Sequence, residues 1–240
     1  MRMRKKKNGE ARLAACSEYL IPAPVSPFSD PAEAFRRPGA PVFLEIGAGK
    51  GAFACGMAKK YPEACYFAME KVTDCVVLAA ELAKETASDR GDNLRFIIDT
   101  ADNLAYIFEC GTVDRIFLNF SDPWSKKGYA KRRLTHRRYL ALYFNLLKDG
   151  GQLCFKTDNV GLFDFSLEEI EAMGLKCDVV TRDLHASEWA ADNIMTEYET
   201  AFSSQGMKIN MLRITKPDGF NPELPEELST NRKVYSRSNG

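Results

Sequence analysis

From Pro41 onward, short apolar runs alternate with longer stretches of helical periodicity, and this alternation restricts the possible fold more than any other feature. PVFLEIG (41–47) reads as a buried strand ending in glycine, and Gly51–Tyr61 as a helix stopped by Pro62. Further strands are expected at 65–70, 94–99, 113–120 and 152–158, with helices at 72–85, near 101–109, at 135–147 and near 163–173. A strand near 175–182, a helix near 195–204 and a strand near 208–215 complete the pattern. Such alternation implies βαβ units. The expected fold is therefore α/β, a mostly parallel seven-stranded sheet with helices on both faces and an antiparallel edge strand. Ligands of such sheets bind at the carboxyl ends of the strands. Here those ends are Glu45–Gly51, Glu70, Asp99–Asp102, Asn119–Trp124 and Thr157–Asn159.

The flanks differ from this core. Residues 1–40 begin with the basic MRMRKKK and become rich in Pro and Ser, so an arm with little regular structure is expected, with one short helix near 11–20. Residues 216–240 are rich in Pro, Asn, Ser and charge and read as a mobile tail. The intervening domain spans 41–215. With 33 basic and 33 acidic residues the net charge is zero, which argues against a uniformly basic coat but permits a local basic patch. The seven cysteines form no Cys-x-x-Cys pair and there are two histidines, so no metal site is expected. The thiols read as buried in a reducing cytosol. No apolar run approaches the ~18 residues of a membrane span, and KKKNGEAR lacks the apolar core of a signal peptide. A cytoplasmic protein without a membrane partner is expected.

Two loops carry the chemistry. In Glu45-Ile46-Gly47-Ala48-Gly49-Lys50-Gly51, alternate glycines permit a tight turn and close backbone approach by a ligand ahead of a helix amino terminus. Glu70, ending the second strand, suits a ribose diol, which fits either a nicotinamide cofactor or S-adenosylmethionine. Glu45 favours the latter, because an acid there repels pyrophosphate and suits an ammonium and a sulfonium. The second loop is Asn119-Phe120-Ser121-Asp122-Pro123-Trp124. Proline biases Asp122 to an extended form over the crevice. Its carboxylate can accept from the adjacent N1–H and N2 amino donors of guanine, beside an aromatic wall at Trp124. Taken singly, Asp122 could equally be a turn cap and Trp124 a core anchor. Lys126, Lys127, Lys131, Arg132, Arg133, Arg137 and Arg138 follow with no intervening acid. Cations opening a helix oppose its dipole, which points to contact with a polyanion.

EIGAGKGAF, LNFSDPWSKKGYAKRRLT, FKTDN and NIMTEYE, with MRMRKK at the start, stand in the order found in bacterial tRNA (guanine-N7-)-methyltransferases. The sequence resembles that family over roughly residues 1–215. The resemblance implies a Rossmann-like class I methyltransferase fold and S-adenosylmethionine as methyl donor. It implies as substrate a guanine at tRNA position 46, in the variable loop, and as product 7-methylguanosine. Carried over by position, Glu45, Glu70 and Asp122 match cofactor-binding residues, with Asp122 also catalytic, and Gly47, Gly49 and Gly51 form the cofactor loop. Thr100 stands where many relatives have an acid, so Asp99 or Asp102 could substitute for it. Lys126, Asp158, Thr196, Glu197, Tyr198 and Glu199 match substrate-binding positions, and Arg132 and Arg133 are expected on phosphates. Thr196-x-x-Glu199 is also a helix capping box, and the two readings can coexist. A monomer or homodimer without an obligate protein partner is expected. The alternatives are an amino-group methyltransferase, a non-catalytic RNA-binding protein of this fold, and a nicotinamide oxidoreductase, which leaves the basic run without a role.

Overall fold

The computed structural model describes residues 6–22, 24, 26–86, 92–203 and 205–229. Seven strands form one sheet: β1 (Val42–Ile46), β2 (Cys65–Met69), β3 (Leu94–Ile97), β4 (Val113–Asn119), β5 (Leu147–Thr157), β6 (Val179–Thr181) and β7 (Asn210–Thr215). Their order is β3-β2-β1-β4-β5-β7-β6, and all pairings are parallel except those of β7 with β5 and β6. The antiparallel strand thus lies at the expected margin, between β5 and the short outermost β6. Every residue of β1 and β2 is buried, as in parallel strands covered on both faces.

The helices are α1 (Gly9–Ala14), α2 (Ala52–Lys60), α3 (Thr73–Thr86), α4 (Arg137–Leu146), α5 (Val160–Ala172), α6 (Glu197–Ser203) and α7 (Glu226–Ser229). Strand alternation sends Leu44 and Ile46 into a core shared with α4 and α5, while Phe43 and Phe117 face α2 and α3. The stretch near 101–109 is a 3₁₀ helix over Ala101–Tyr106 rather than an α-helix. Phe28 of the N-terminal arm accepts from Glu109 N and donates to Ile107 O, so these backbone groups are not available to prolong it. β5 starts five residues earlier than the sequence suggested, with an irregularity in its pairing to β4, and β6 is confined to three residues.

The described part of the arm is pinned to the domain. Arg12 pairs with Glu81 of α3, and Ile21 N donates to Phe96 O at the free side of β3, which shields a sheet edge. The first five residues of the basic run lie outside the described residues. The tail read as mobile is, as far as Ser229, packed on the domain: Lys216 Nζ donates to Leu147 O, Phe220 meets Phe144 edge-on and Leu228 is fully buried. Its scattered apolar residues supply these anchors, which its polar composition concealed. The cysteines are all free. Cys16 and Cys65 are buried as expected, but Cys110 is exposed and the other four are half-buried. Among the described residues, no helix is long and apolar enough to cross a membrane, and no group of acids, histidines and cysteines could hold a metal ion.

Candidate active site

Five strand ends converge on one cleft. The loop after β1 turns with Gly47, Gly49 and Gly51 at φ of 84°, 55° and 82°, values that L-residues rarely adopt. A Cβ at Gly47 or Gly49 would meet nothing within 4 Å, so open space lies over the loop. Gly51 differs: its Cβ would come within 2.8 Å of Ala79 Cβ on α3, so packing as well as φ demands glycine there. Gly51 also caps α2, whose free N–H groups border the cleft.

Glu70 spans the gap between two turns. Its Oε2 accepts from Gly49 N at 3.0 Å and its Oε1 from Val72 N at 2.8 Å. Each oxygen keeps a lone pair for a further donor. Glu45 is 1% exposed, accepting from Asn119 Nδ2 at 2.9 Å and from the Tyr66 hydroxyl at 3.4 Å. Burial pushes its carboxyl up to about 7, against the opposing pull of the Asn119 hydrogen bond and the Lys156 charge.

After β3 the acids are already engaged. Asp99 Oδ1 accepts from Thr100 N and Asn103 Nδ2. Asp102 is buried against α4, where it accepts from the Tyr139 hydroxyl at 2.8 Å and pairs with Arg138. Asp102 therefore does not face the cleft, while Thr100 stands half-buried at the strand end.

The loop after β4 is held under strain. Phe120 and Trp124 have φ of 50° and 41°, each costing about 1–3 kcal/mol that the surrounding contacts must offset. Phe120 N donates to Lys156 O, and Arg133 donates to the carbonyls of Pro123 (3.0 Å) and Trp124 (3.2 Å). Arg133 is thus a brace for the loop, with its guanidinium over Phe165 at 4.3 Å, rather than a free phosphate ligand. Asp122, between the two strained residues, is exposed, and no hydrogen bond engages its side chain among the described residues. Trp124 meets Tyr129 edge-on, and the Arg132 guanidinium lies over both rings at 5.0 and 4.6 Å.

The basic run therefore divides. Lys126, Lys127, Lys131 and Arg132 are exposed. Arg137 forms a bidentate pair with Glu169 of α5, and Arg138 binds Asp102. Those two acids compensate the cations at the start of α4, so the mismatch with the helix dipole is resolved internally.

Residues 193–199 close the cleft from the far side. Thr196 and Glu199 form the capping box: Thr196 Oγ1 accepts from Glu199 N at 2.9 Å, and Glu199 Oε2 accepts from Thr196 N at 3.4 Å. Glu199 is fully buried and forms an ion pair with Lys156 of β5, which also donates to Asn193 Oδ1 and to Ile194 O at 2.7 Å. His185 Nε2 lies 2.7 Å from the other Glu199 oxygen. Burial lowers the Lys156 ammonium. For Glu199, burial acts upward, but the Lys156 charge and the hydrogen bonds from Lys156, His185 and Asn193 outweigh it and hold the carboxyl low. Glu197 pairs with Lys50 of the glycine loop at 2.8 Å, and the exposed Tyr198 stacks on Phe120 at 6.2 Å. Asp158 is half-buried at the end of β5. The structure thus gathers Glu45, the glycine loop, Glu70, Phe120 and residues 196–199 around one cleft. Lys156, which ties β5 to α6, was missed: its place beside Asp158 in FKTDN was the signal, but its partner lies 43 positions away.

A family model described as putative methyltransferase matches residues 39–212. A tRNA (guanine-N(7)-)-methyltransferase of Streptococcus equi subsp. zooepidemicus is 40% identical over 215 residues, 90% of this chain and 100% of that one. Its counterpart in Lachnoclostridium phytofermentans is 46% identical over 172 residues, 72% of this chain and 79% of the other. Among solved structures, the 16S rRNA methyltransferase KamB superposes with a TM-score of 0.58 at 16% identity, covering 83% of this chain and 99% of its own. An antibiotic-related methyltransferase gives 0.55 at 16% identity, over 77% and 90%. These establish the fold as that of class I methyltransferases, and with glycine loop, SDPW loop and capping box in place, the chain belongs to the bacterial tRNA (guanine-N7-)-methyltransferase family.

Proposed function

We propose that this protein transfers a methyl group from S-adenosylmethionine to N7 of guanine at position 46 in the variable loop of tRNA. The observation that carries this reading is the exposed, unengaged Asp122, set between two strained residues beside the Trp124–Arg132–Tyr129 stack. The cleft fits the cofactor: room over Gly47 and Gly49, spare lone pairs on Glu70 for a ribose diol, and an acid at Glu45 for a cationic group. When bound, S-adenosylmethionine supplies an electrophilic methyl group. Guanine N7 carries a lone pair and no proton, so no general base is required there. The work of the chain is alignment and exclusion of water. Asp122 accepts from the guanine N1–H and N2 amino group and offsets the positive charge that N7-methylation leaves on the ring. Tyr198 on Phe120 offers a neighbouring aromatic surface, with Asp158 at the adjacent strand end. Lys126 and Arg132 contact phosphates, and Arg133 keeps the Asp122 loop in shape.

The reading is tested by transfer of labelled methyl from S-adenosylmethionine to unmodified tRNA, with nucleoside analysis. 7-Methylguanosine from a transcript bearing G46, and none from one bearing A46, is expected. Another methylated nucleoside would move the assignment to an amino-group methyltransferase.

Two further results follow from the same assignment. Glu45, raised to about 7, contributes stability that is fully present below its unfolded value of about 4.5 and is lost as pH rises through 7. A cationic ligand favours the ionised form, so cofactor binding releases a proton. Calorimetry should show affinity rising about tenfold from pH 6 to pH 8, and a flat profile in Glu45→Gln. Equal affinity at both pH values in the native protein would remove Glu45 as the cation's partner. For the phosphate contacts, Arg132→Glu should weaken tRNA binding and reduce the salt slope of log K by about 1. An unchanged slope would make Arg132 a mere cover for Trp124.

A further inference from the structure

A second recess lies outside the methyl-transfer cleft. Between α2, one face of β4, β5 and β7, and residues 184–194 is a cavity of about 240 Å³. Arg115 on β4 stands opposite Gln152, and Arg213 on β7 stands opposite Cys154, so both guanidiniums rise from the same sheet face on either side of β5. Two strand spacings put their backbones on the order of 10 Å apart across the sheet. Arg115 lies over Phe43 and Tyr61 at 5.1 and 5.6 Å, and Arg213 over Trp189 at 4.6 Å. These rings fix the guanidinium planes but accept none of their in-plane N–H groups.

Among the described residues, no carboxylate or carbonyl accepts from either guanidinium, and Arg213 Nε is shut off from solvent with no hydrogen-bond partner. The other charged groups of the cavity are matched, Lys156 by Glu199 and Asp192 by Lys60. Two positive charges therefore remain uncompensated in a half-enclosed space, an arrangement that costs free energy unless an anion supplies acceptors.

We propose that this cavity binds a phosphate group, gripped between Arg115 and Arg213. A phosphate group carries about −1 as a backbone diester and about −1.5 to −2 as a monoester at neutral pH, and two guanidiniums can hold either. Its oxygens also suit the planar donor fork of arginine. The site shares Lys156, Asn193 and Ile194 with the latch but contains none of the residues assigned to cofactor or guanine.

The test is calorimetric titration of the full-length protein with inorganic phosphate. Binding is expected in the native protein and at least tenfold weaker in Arg115→Gln and in Arg213→Gln, with S-adenosylmethionine affinity unchanged as the control for folding. A measurement on the unsubstituted protein stands beside it. Cys154 lines the cavity, and its alkylation by iodoacetamide, read by peptide mass spectrometry, should slow several-fold when phosphate is present. Absent phosphate binding, equal binding in all three proteins, or unprotected Cys154 overturns the proposal. The source of the phosphate is read from tRNA affinity. A parallel loss in Arg213→Gln assigns the site to a tRNA backbone phosphate, and an unchanged value assigns it to a free phosphorylated molecule. Neither readout requires methyl transfer, so the site stands or falls separately from the activity proposed above.

Discussion

Asp122→Ala is expected to lower kcat for methyl transfer by about 10²–10³, the usual loss when one oriented electrostatic group is removed from a closed site. The tRNA Kd should stay within about threefold, because the phosphate contacts that dominate such affinity come from other residues. Structure around the position should survive, since the Asp122 side chain is exposed and makes no hydrogen bond among the described residues. Asp122→Asn is the sharper variant. Its amide keeps the shape but loses the charge and one acceptor, so activity should remain far below native. Single-turnover kinetics on transcript tRNA measures both variants, and near-native rates in either would take Asp122 out of the reaction.

Glu199→Ala should cost about 3–5 kcal/mol, the penalty for stranding a buried charge, here the Lys156 ammonium. That is a large share of the roughly 5–15 kcal/mol by which a domain is stable. Lys156→Met should be comparably harmful, leaving the Glu199 carboxylate with only His185, Asn193 and the Thr196 amide. Combining Lys156→Met with Glu199→Leu should cost clearly less than the two losses added together, because neither charge is then left without its counterpart. Urea unfolding measures the global term, and hydrogen exchange over residues 184–203 measures whether the latch opens locally. Strict additivity would mean that the pair is not coupled. Methyl transfer should fall in both single variants, since Tyr198 and the Lys50–Glu197 contact ride on the same helix.

Asp122 and Lys156 also differ in how far along the chain their signals lie. The signals that single out Asp122 are local: a proline beside it, an aromatic two residues on and a run of cations just after. The glycine loop was legible for the same reason, and so was the capping box, which the structure reproduces with both reciprocal hydrogen bonds. Strands and helices of the domain were readable because apolar periodicity reflects which face each element buries. The 3₁₀ turn at Ala101–Tyr106 was not, because Phe28, more than 70 positions earlier, takes the backbone groups a longer helix would need.

Lys156 and Arg133 show what local sequence conceals. Nothing local distinguishes Lys156, which is a buried latch only because α6 returns over β5. Arg133 looked like one more phosphate contact, and it became a brace because the preceding loop folds its carbonyls back onto it. By itself the sequence determined the α/β architecture and the identity of its short-range motifs, since both follow from local periodicity and interactions among neighbours. Only the tertiary structure decided which cations are free for an anion, which acids are consumed inside the fold and that Arg115 and Arg213 share a cavity. The partner of a charge is chosen by proximity in space, and for these residues it lies tens of positions away along the chain.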